Sequence, residues 1–179
     1  MKLTAGSVPL RVRRAVEMLA LRPEQAVLEI GGGTGAAASL ICAQLKTGRY
    51  LGIDRSEKAV AASRQRLAGF VDRGTAEVRR AALEHTALES DGPFGTAFAI
   101  NVNLFWTRNA VDELRSIARV LTDDGVLRLF FEPPPGSPAQ RIVEQVSVNL
   151  AKAGFESTCT IQPLGSSLLV AFHAVSANH

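Results

Sequence analysis

The sequence predicts an α/β domain built on a mostly parallel sheet with helices on both faces. Three observations carry this expectation. Short apolar runs of β type alternate with segments of helical period through most of the chain; the first such run, "AVLEI", ends on the glycine cluster "GGGTG"; and the last two runs follow each other with no helix between them. Repeated β-α-β units cross over right-handed and cover both faces of a parallel sheet, whereas strands joined by a tight turn must pair antiparallel. A chain of 179 residues suits one such domain, expected here over residues 1–179, with residues 1–22 a helical segment packed on it.

The elements follow in order. Pro9 begins a first helix running to about Ala20, and Pro23 prevents its continuation. "AVLEI" is the first strand, and a helix from about Gly35 to Leu45 follows the glycines. "RYLGID" is the second strand. Ser56 is an N-cap for the helix "EKAVAASRQRLAGFV", which ends near Gly69 or Gly74. "AEVRRAAL" is a more polar third strand whose arginines suit a sheet edge. "GTAFAINV" is the fourth. Asn109 and Asp112 then cap "AVDELRSIARVL", and "DDG" turns the chain into a fifth strand, "VLRLFFE". Ser137, Pro138 and Gln140 read as a capped helix start with proline at the first position, and Gly154 ends that helix with Phe155 folding back on Leu150. "STCTIQPL" and "SSLLVAFHAV" close as a hairpin through "PLGS". Arg128 is out of place in its apolar strand, and marks either a strand end or a subunit contact; the oligomeric state stays open.

Composition excludes several function classes. Hydrophobic residues make up 46% of the chain, but charges interrupt every apolar stretch, so none reaches the roughly 20 residues that a membrane span needs. The start, "MKLTAGSVPLRVRRAVEM", lacks the apolar core of a signal peptide, so a soluble, cytoplasmic protein is expected. Cys42 and Cys159 lie in apolar surroundings and read as small buried hydrophobes. His85, His173 and His179 show no ligand spacing, and no metal is expected. The net charge of +3 permits an acidic partner without requiring one. Arg11, Arg13 and Arg14 straddle the apolar stripe of Val12, Val16 and Leu19, as on a solvated helix face, and nucleic acid is not the expected partner.

The glycine cluster sits where a doubly wound sheet binds ligands, beyond the carboxyl end of its first strand. Gly31, Gly33 and Gly35 permit positive φ and a close approach of backbone N–H groups to a ligand. A dinucleotide cofactor is one candidate, because "GGGTGA" fits G-x-G-x-x-A and Asp54 lies near the distance of a ribose-binding acid. A Walker phosphate loop is excluded, because no Lys-Ser or Lys-Thr pair follows the glycines.

"LEIGGGTG" resembles motif I, E-x-G-x-G-x-G, of the class I S-adenosylmethionine-dependent methyltransferases, and "YLGIDRSEKAVAASRQRL" resembles their second motif. "ELRSIARVLTDDGVLRLF", "LAKAGFE" and the terminal hairpin are similar to later parts of that family, so the resemblance covers roughly Val27 to Val175. It implies a Rossmann-like three-layer sandwich, with a seven-stranded sheet in the order 3-2-1-4-5-7-6 and an antiparallel terminal strand. It also implies S-adenosylmethionine as cofactor. Gly31, Gly33 and Gly35 would line its methionine and ribose portion, Glu29 would approach the methionine amino group through water, and Asp54 would hold the ribose hydroxyls. Arg55 would cover adenine, the Leu83 backbone would contact it, and Asn101 would accept from the methionine amino group through its side-chain or backbone oxygen. Three positions depart from the family pattern: Ala82 stands where an acid reads adenine, Phe94-Gly95 replaces Phe-Asp, and Asn101 replaces an acid without the Asn-Pro-Pro-aromatic sequence of amino-directed members.

The resemblance says less about the acceptor. Phe105, Trp106 and Glu132 are placed to form its wall and entrance, and "EPPPGSP" is a stiff loop at the mouth of strand five. No catalytic residue is identified; His85 and Glu132 are candidates for a general base, which the reaction needs only for an acceptor that cannot otherwise shed its proton. The principal expectation is methyl transfer to a small molecule. A cofactor-binding protein without transferase activity is the second, and an NAD-dependent oxidoreductase the third.

Overall fold

The computed structural model describes residues 8–177; the part of the N-terminal segment before residue 8 lies outside the described residues. Helix α1 (Leu10–Leu19) starts after Pro9 and buries Val12, Ala15, Val16 and Leu19, a stripe at helical spacing. It stops at Ala20, which takes a left-handed conformation with its N–H on the Glu17 carbonyl. Strand β1 (Ala26–Ile30) leads through the glycines to α2 (Ala36–Cys42), and β2 (Arg49–Asp54) to α3 (Glu57–Arg66). The Ser56 side chain accepts from the Ala59 N–H and caps α3 as expected. The short helix α4 (Ala68–Asp72) precedes β3 (Ala76–Arg80), and a 3₁₀ turn at Leu83–His85 precedes β4 (Phe94–Ile100). Helices α5 (Leu104–Thr107) and α6 (Val111–Ala118) lead to β5 (Leu121–Phe131), then α7 (Ala139–Lys152), β6 (Phe155–Leu164) and β7 (Ser167–Ser176).

One seven-stranded sheet runs β3-β2-β1-β4-β5-β7-β6. The first five strands are parallel, and β7 is antiparallel to both β5 and β6. This is the expected order, including the edge position of the arginine-bearing β3. Side-chain alternation sends Leu28 and Ile30 to one face, with Leu127, Leu129, Phe131 and the buried stripes of α6 and α7, and sends Val27 to the other, with Phe98, Phe130, Ala171 and α1. Full burial of each such Leu or Phe contributes roughly 1.5–3 kcal/mol. The chain order reverses beside β1, which lies between β2 and β4, so a crevice opens there at the carboxyl ends of the strands.

Several boundaries depart from the sequence expectation. The helix expected over residues 57–71 breaks at Leu67, whose side chain is fully buried and whose N–H returns to the Ser63 carbonyl. Residues 81–83 leave the third strand for the 3₁₀ turn. "DDG" is a bulge between two paired stretches of β5, because Phe94 pairs with Leu121 and Thr96 already with Val126. No side-chain cap starts α7: Gln140 donates instead to Glu144, one helical turn on. Asn109 accepts from the Val111 N–H, with no reciprocal bond from Asp112 shown. Cys42 is buried as expected, and burial pushes its thiol up to about 12; Cys159, on edge strand β6, is only half-buried. Arg128 is not at a strand end. It lies inside β5 opposite Phe98 and His173, and its Nε and the His173 Nδ1 are buried without hydrogen-bond partners among the described residues.

Candidate functional site

The glycine loop is anchored to the end of β2. The N–H groups of Gly31 and Gly32 donate to the Ile53 carbonyl at 2.8 and 3.2 Å, and the Gly33 N–H donates to Asp54 Oδ2 at 2.8 Å. The other Asp54 oxygen accepts from the Ser56 N–H at 2.8 Å, so two backbone donors fix the carboxylate while lone pairs on both oxygens stay available. Gly31 has φ +70°, and a Cβ there would stand 2.5 Å from Val102 Cγ2. Gly33 has φ +54°, a backbone state that glycine adopts freely, and open space where its Cβ would be.

A cleft of about 560 Å³ lies beside this loop. Gly31, Asp54, Arg55, Leu83 and Asn101 line it, so the structure brings together predicted residues from four strand ends. Gly33 joins it through its bond to Asp54, and Gly35, at φ +78°, occupies the N-cap position of α2. Sequence reasoning missed further lining residues, Val102, Asn103, Leu104, Thr107 and Arg108. Arg108 bridges to Glu84 and Glu113, tying the 3₁₀ turn to the start of α6. The signal in the sequence was no more than the polar character of "NVN" and "WTRN" after an apolar strand.

Glu29 lines neither this cleft nor the second one described below. It is 3% exposed on the α2 side of the sheet, where its Oε2 accepts from the Tyr50 hydroxyl. Burial pushes its carboxyl up to about 8, the Tyr50 hydrogen bond opposes this, and the Asp54 charge adds to it. Glu29 is opposite Gly52 in the β1–β2 register, and a Cβ on Gly52 would come within 2.5 Å of the Tyr50 hydroxyl oxygen. The missing side chain at Gly52 therefore makes room for the Tyr50 ring beneath the loop.

A second, larger cleft of about 790 Å³ shares Asn101 and Asn103 with the first. Trp106, Phe131, Glu132, the three prolines of "EPPPG" and the hairpin residues Ser166–Leu168 line it. Glu132 Oε1 accepts from the Ser167 hydroxyl at 2.6 Å, and Oε2 from Arg11 Nη1 at 3.2 Å. Its N–H donates to Asn101 Oδ1 at 2.7 Å, which takes one of the two lone pairs on that oxygen. Asn101 has φ +55°, an uncommon backbone state for a residue with a side chain. Phe105 corrects the expectation of an acceptor wall: it is fully buried in the core, because α5 turns it inward beneath α7. Trp106 does line the cleft and donates from Nε1 to Asn103 Oδ1. His85 is exposed on the 3₁₀ turn and lines neither cleft. Among the described residues no group of His, Cys, Asp and Glu forms a metal site, and no helix is long and apolar enough to cross a membrane.

A family model described as a methyltransferase domain matches residues 28–127. Two curated relatives are 36% identical. One is a ribosomal RNA small subunit methyltransferase H from Solibacter usitatus, matched over 66 residues, 37% of this chain and 23% of that protein. The other bears the same name, comes from Symbiobacterium thermophilum and is matched over 86 residues, 47% of this chain and 26% of that protein. The matched segments thus span about a quarter of the length of these relatives. Solved structures share the fold. A SAM-dependent methyltransferase from Aquifex aeolicus superposes with TM-score 0.73 at 16% identity, covering 92% of this chain and 89% of that one. A precorrin-6y C5,15-methyltransferase from Geobacter metallireducens gives 0.70 at 14% identity, covering 92% and 86%. A magnesium protoporphyrin IX methyltransferase from Synechocystis, solved with bound SAM, gives 0.64 at 19% identity, covering 92% and 76%.

Proposed function

The chain belongs to the S-adenosylmethionine-dependent methyltransferases, and from that premise we propose that it transfers the cofactor's methyl group to a small molecule seated in the second cleft. The observation that carries this reading is the junction of two clefts at Asn101 and Asn103, one floored by the glycine loop and the other open to solvent between the proline loop and the hairpin.

The first cleft fits the cofactor. Its volume suits a nucleoside with an amino-acid arm, Gly31 lines it, and Asp54 presents a carboxylate whose two oxygens can accept from neighbouring ribose hydroxyls. Arg55 is exposed at the rim, where its guanidinium plane would cover adenine, and the Leu83 backbone would contact the ring edge. Gly31, Gly33 and Gly35 shape the seat for the methionine and ribose portion. Glu29 acts from beneath that seat, and Asn101 offers a side-chain or backbone oxygen to the amino group. When bound, the cofactor supplies an electrophilic sulfonium methyl. The protein's part is to align the acceptor for in-line attack and to exclude water.

Asp54→Ala tests the assignment: calorimetry with S-adenosylhomocysteine should show at least a ten-fold loss of affinity, about the effect of removing hydrogen bonds to a charged group. Unchanged affinity would sink the ribose role. The names of the two curated relatives favour RNA as a second acceptor class. Transfer of radiolabelled methyl groups to ribosomal RNA, and none to small-molecule extracts, would establish that reading instead. No transfer to either would leave a cofactor-binding protein.

A further inference from the structure

We propose that the second cleft takes an uncharged, largely apolar acceptor presenting an O–H or N–H to Glu132, and that it rejects acceptors carrying phosphate or carboxylate. The inference rests on the methyltransferase reading of the adjoining cleft.

Among the described residues lining this cleft Glu132 is the one ionisable side chain, and no described Lys, Arg or His joins it there. An anionic group would meet a carboxylate and no cation within the walls. Arg11, outside the lining, is already bound to Glu132 Oε2. Glu132 is also held in place from three sides, by the Ser167 hydroxyl, by Arg11, and through its own N–H on Asn101. Each carboxylate oxygen keeps a lone pair beyond those used. A fixed acceptor with spare capacity, 27% exposed at its side chain, is suited to orient a hydrogen-bond donor.

Trp106, Phe131, Ile142, Pro133 and Leu168 supply apolar lining, beside the polar Asn101, Asn103 and Ser166. Leu168 is 42% exposed, and across the hairpin Pro163 pairs with it while Ile161, 48% exposed, follows on the same face. The apolar surface therefore continues out of the cleft, and about 790 Å³ leaves room for several fused rings. In the transfer, the acceptor's oxygen or nitrogen forms the new bond to the methyl carbon. The carbon–sulfur bond breaks with its electron pair returning to sulfur, and the acceptor's proton passes to Glu132.

The test uses the full chain saturated with S-adenosylhomocysteine and three probes of one shape: 2-naphthol, 2-naphthoic acid and 2-naphthyl phosphate. Ligand-observed NMR titration should show 2-naphthol binding at least ten-fold more tightly than either anion. Glu132→Gln, whose amide keeps the shape but not the charge, should weaken the naphthol about ten-fold and narrow the gap to the anions. Leu168→Ser should weaken the naphthol while leaving S-adenosylhomocysteine affinity unchanged. Preference for either anion, displacement of the naphthol by a short RNA, or no naphthol binding by a protein that does bind S-adenosylhomocysteine would each overturn the substrate class. Failure to bind S-adenosylhomocysteine would overturn the cofactor reading instead.

Discussion

At the scale of single residues, Glu29 and Asp54 are two acids a strand apart with opposite surroundings. Asp54 receives two backbone N–H groups at the cleft surface, whereas Glu29 is buried against Tyr50. For Glu29 the sign of the pH effect follows from a folded value near 8 set above an unfolded value of 4.5. Between these values the unfolded chain has released a proton that the folded protein keeps, so stability falls as pH rises through that window, by at most about 1.4 kcal/mol per pH unit. Glu29→Gln removes the titration and can still accept from Tyr50. Thermal denaturation should show the melting temperature of the variant gaining on the wild type steadily from pH 5 to pH 8; a constant difference would refute the buried protonated state. Gly31→Ala should cost about 1–3 kcal/mol, because it combines positive φ with a clash against Val102, and chemical denaturation measures this directly.

At the scale of elements, α5 shows where sequence reasoning stops. Four residues cannot sustain a helix by local hydrogen bonds. What holds α5 is α7: the buried Asn149 donates from Nδ2 to the Phe105 carbonyl at 3.1 Å and to the Arg108 carbonyl at 2.9 Å. These bonds link residues more than forty positions apart, and they turn Phe105 into the core while Trp106 faces the second cleft. Asn149→Ala leaves both carbonyls short of a donor and should cost about 2 kcal/mol, lowering the melting temperature by roughly 4–8 °C. It should also loosen the wall that carries Asn103 and Trp106, read as weaker naphthol binding. The helices and strands with strong periodicity, α1 and β1 among them, were legible because their burial pattern is written in every turn or pleat. The break at Leu67 and the bulge in β5 were not, because each answers to a neighbour distant in sequence or to the core.

At the scale of the whole molecule, one sheet carries both clefts, and the residues lining them come from strand ends across its centre. We propose that residues 8–177 unfold as one cooperative unit, because the core clusters on the two faces share every central strand. Calorimetry should show a single transition, and S-adenosylhomocysteine at 100 times its dissociation constant should add about 2.7 kcal/mol of stability. Two transitions would divide the chain, and no stabilisation would remove the cofactor.

The sequence by itself determined the strand order's ingredients, the glycine loop and the acid that ends β2, because these depend on local period, on backbone freedom and on short spacings. Only the tertiary structure decided that Glu29 goes beneath the loop with Tyr50, that Phe105 belongs to the core, and that Glu132 is braced by Arg11, Ser167 and Asn101 in a cleft with no cation among its described lining residues. Those outcomes are set by contacts between strand ends and helices remote in the chain, where burial and hydrogen bonding, rather than residue type, assign each side chain its role.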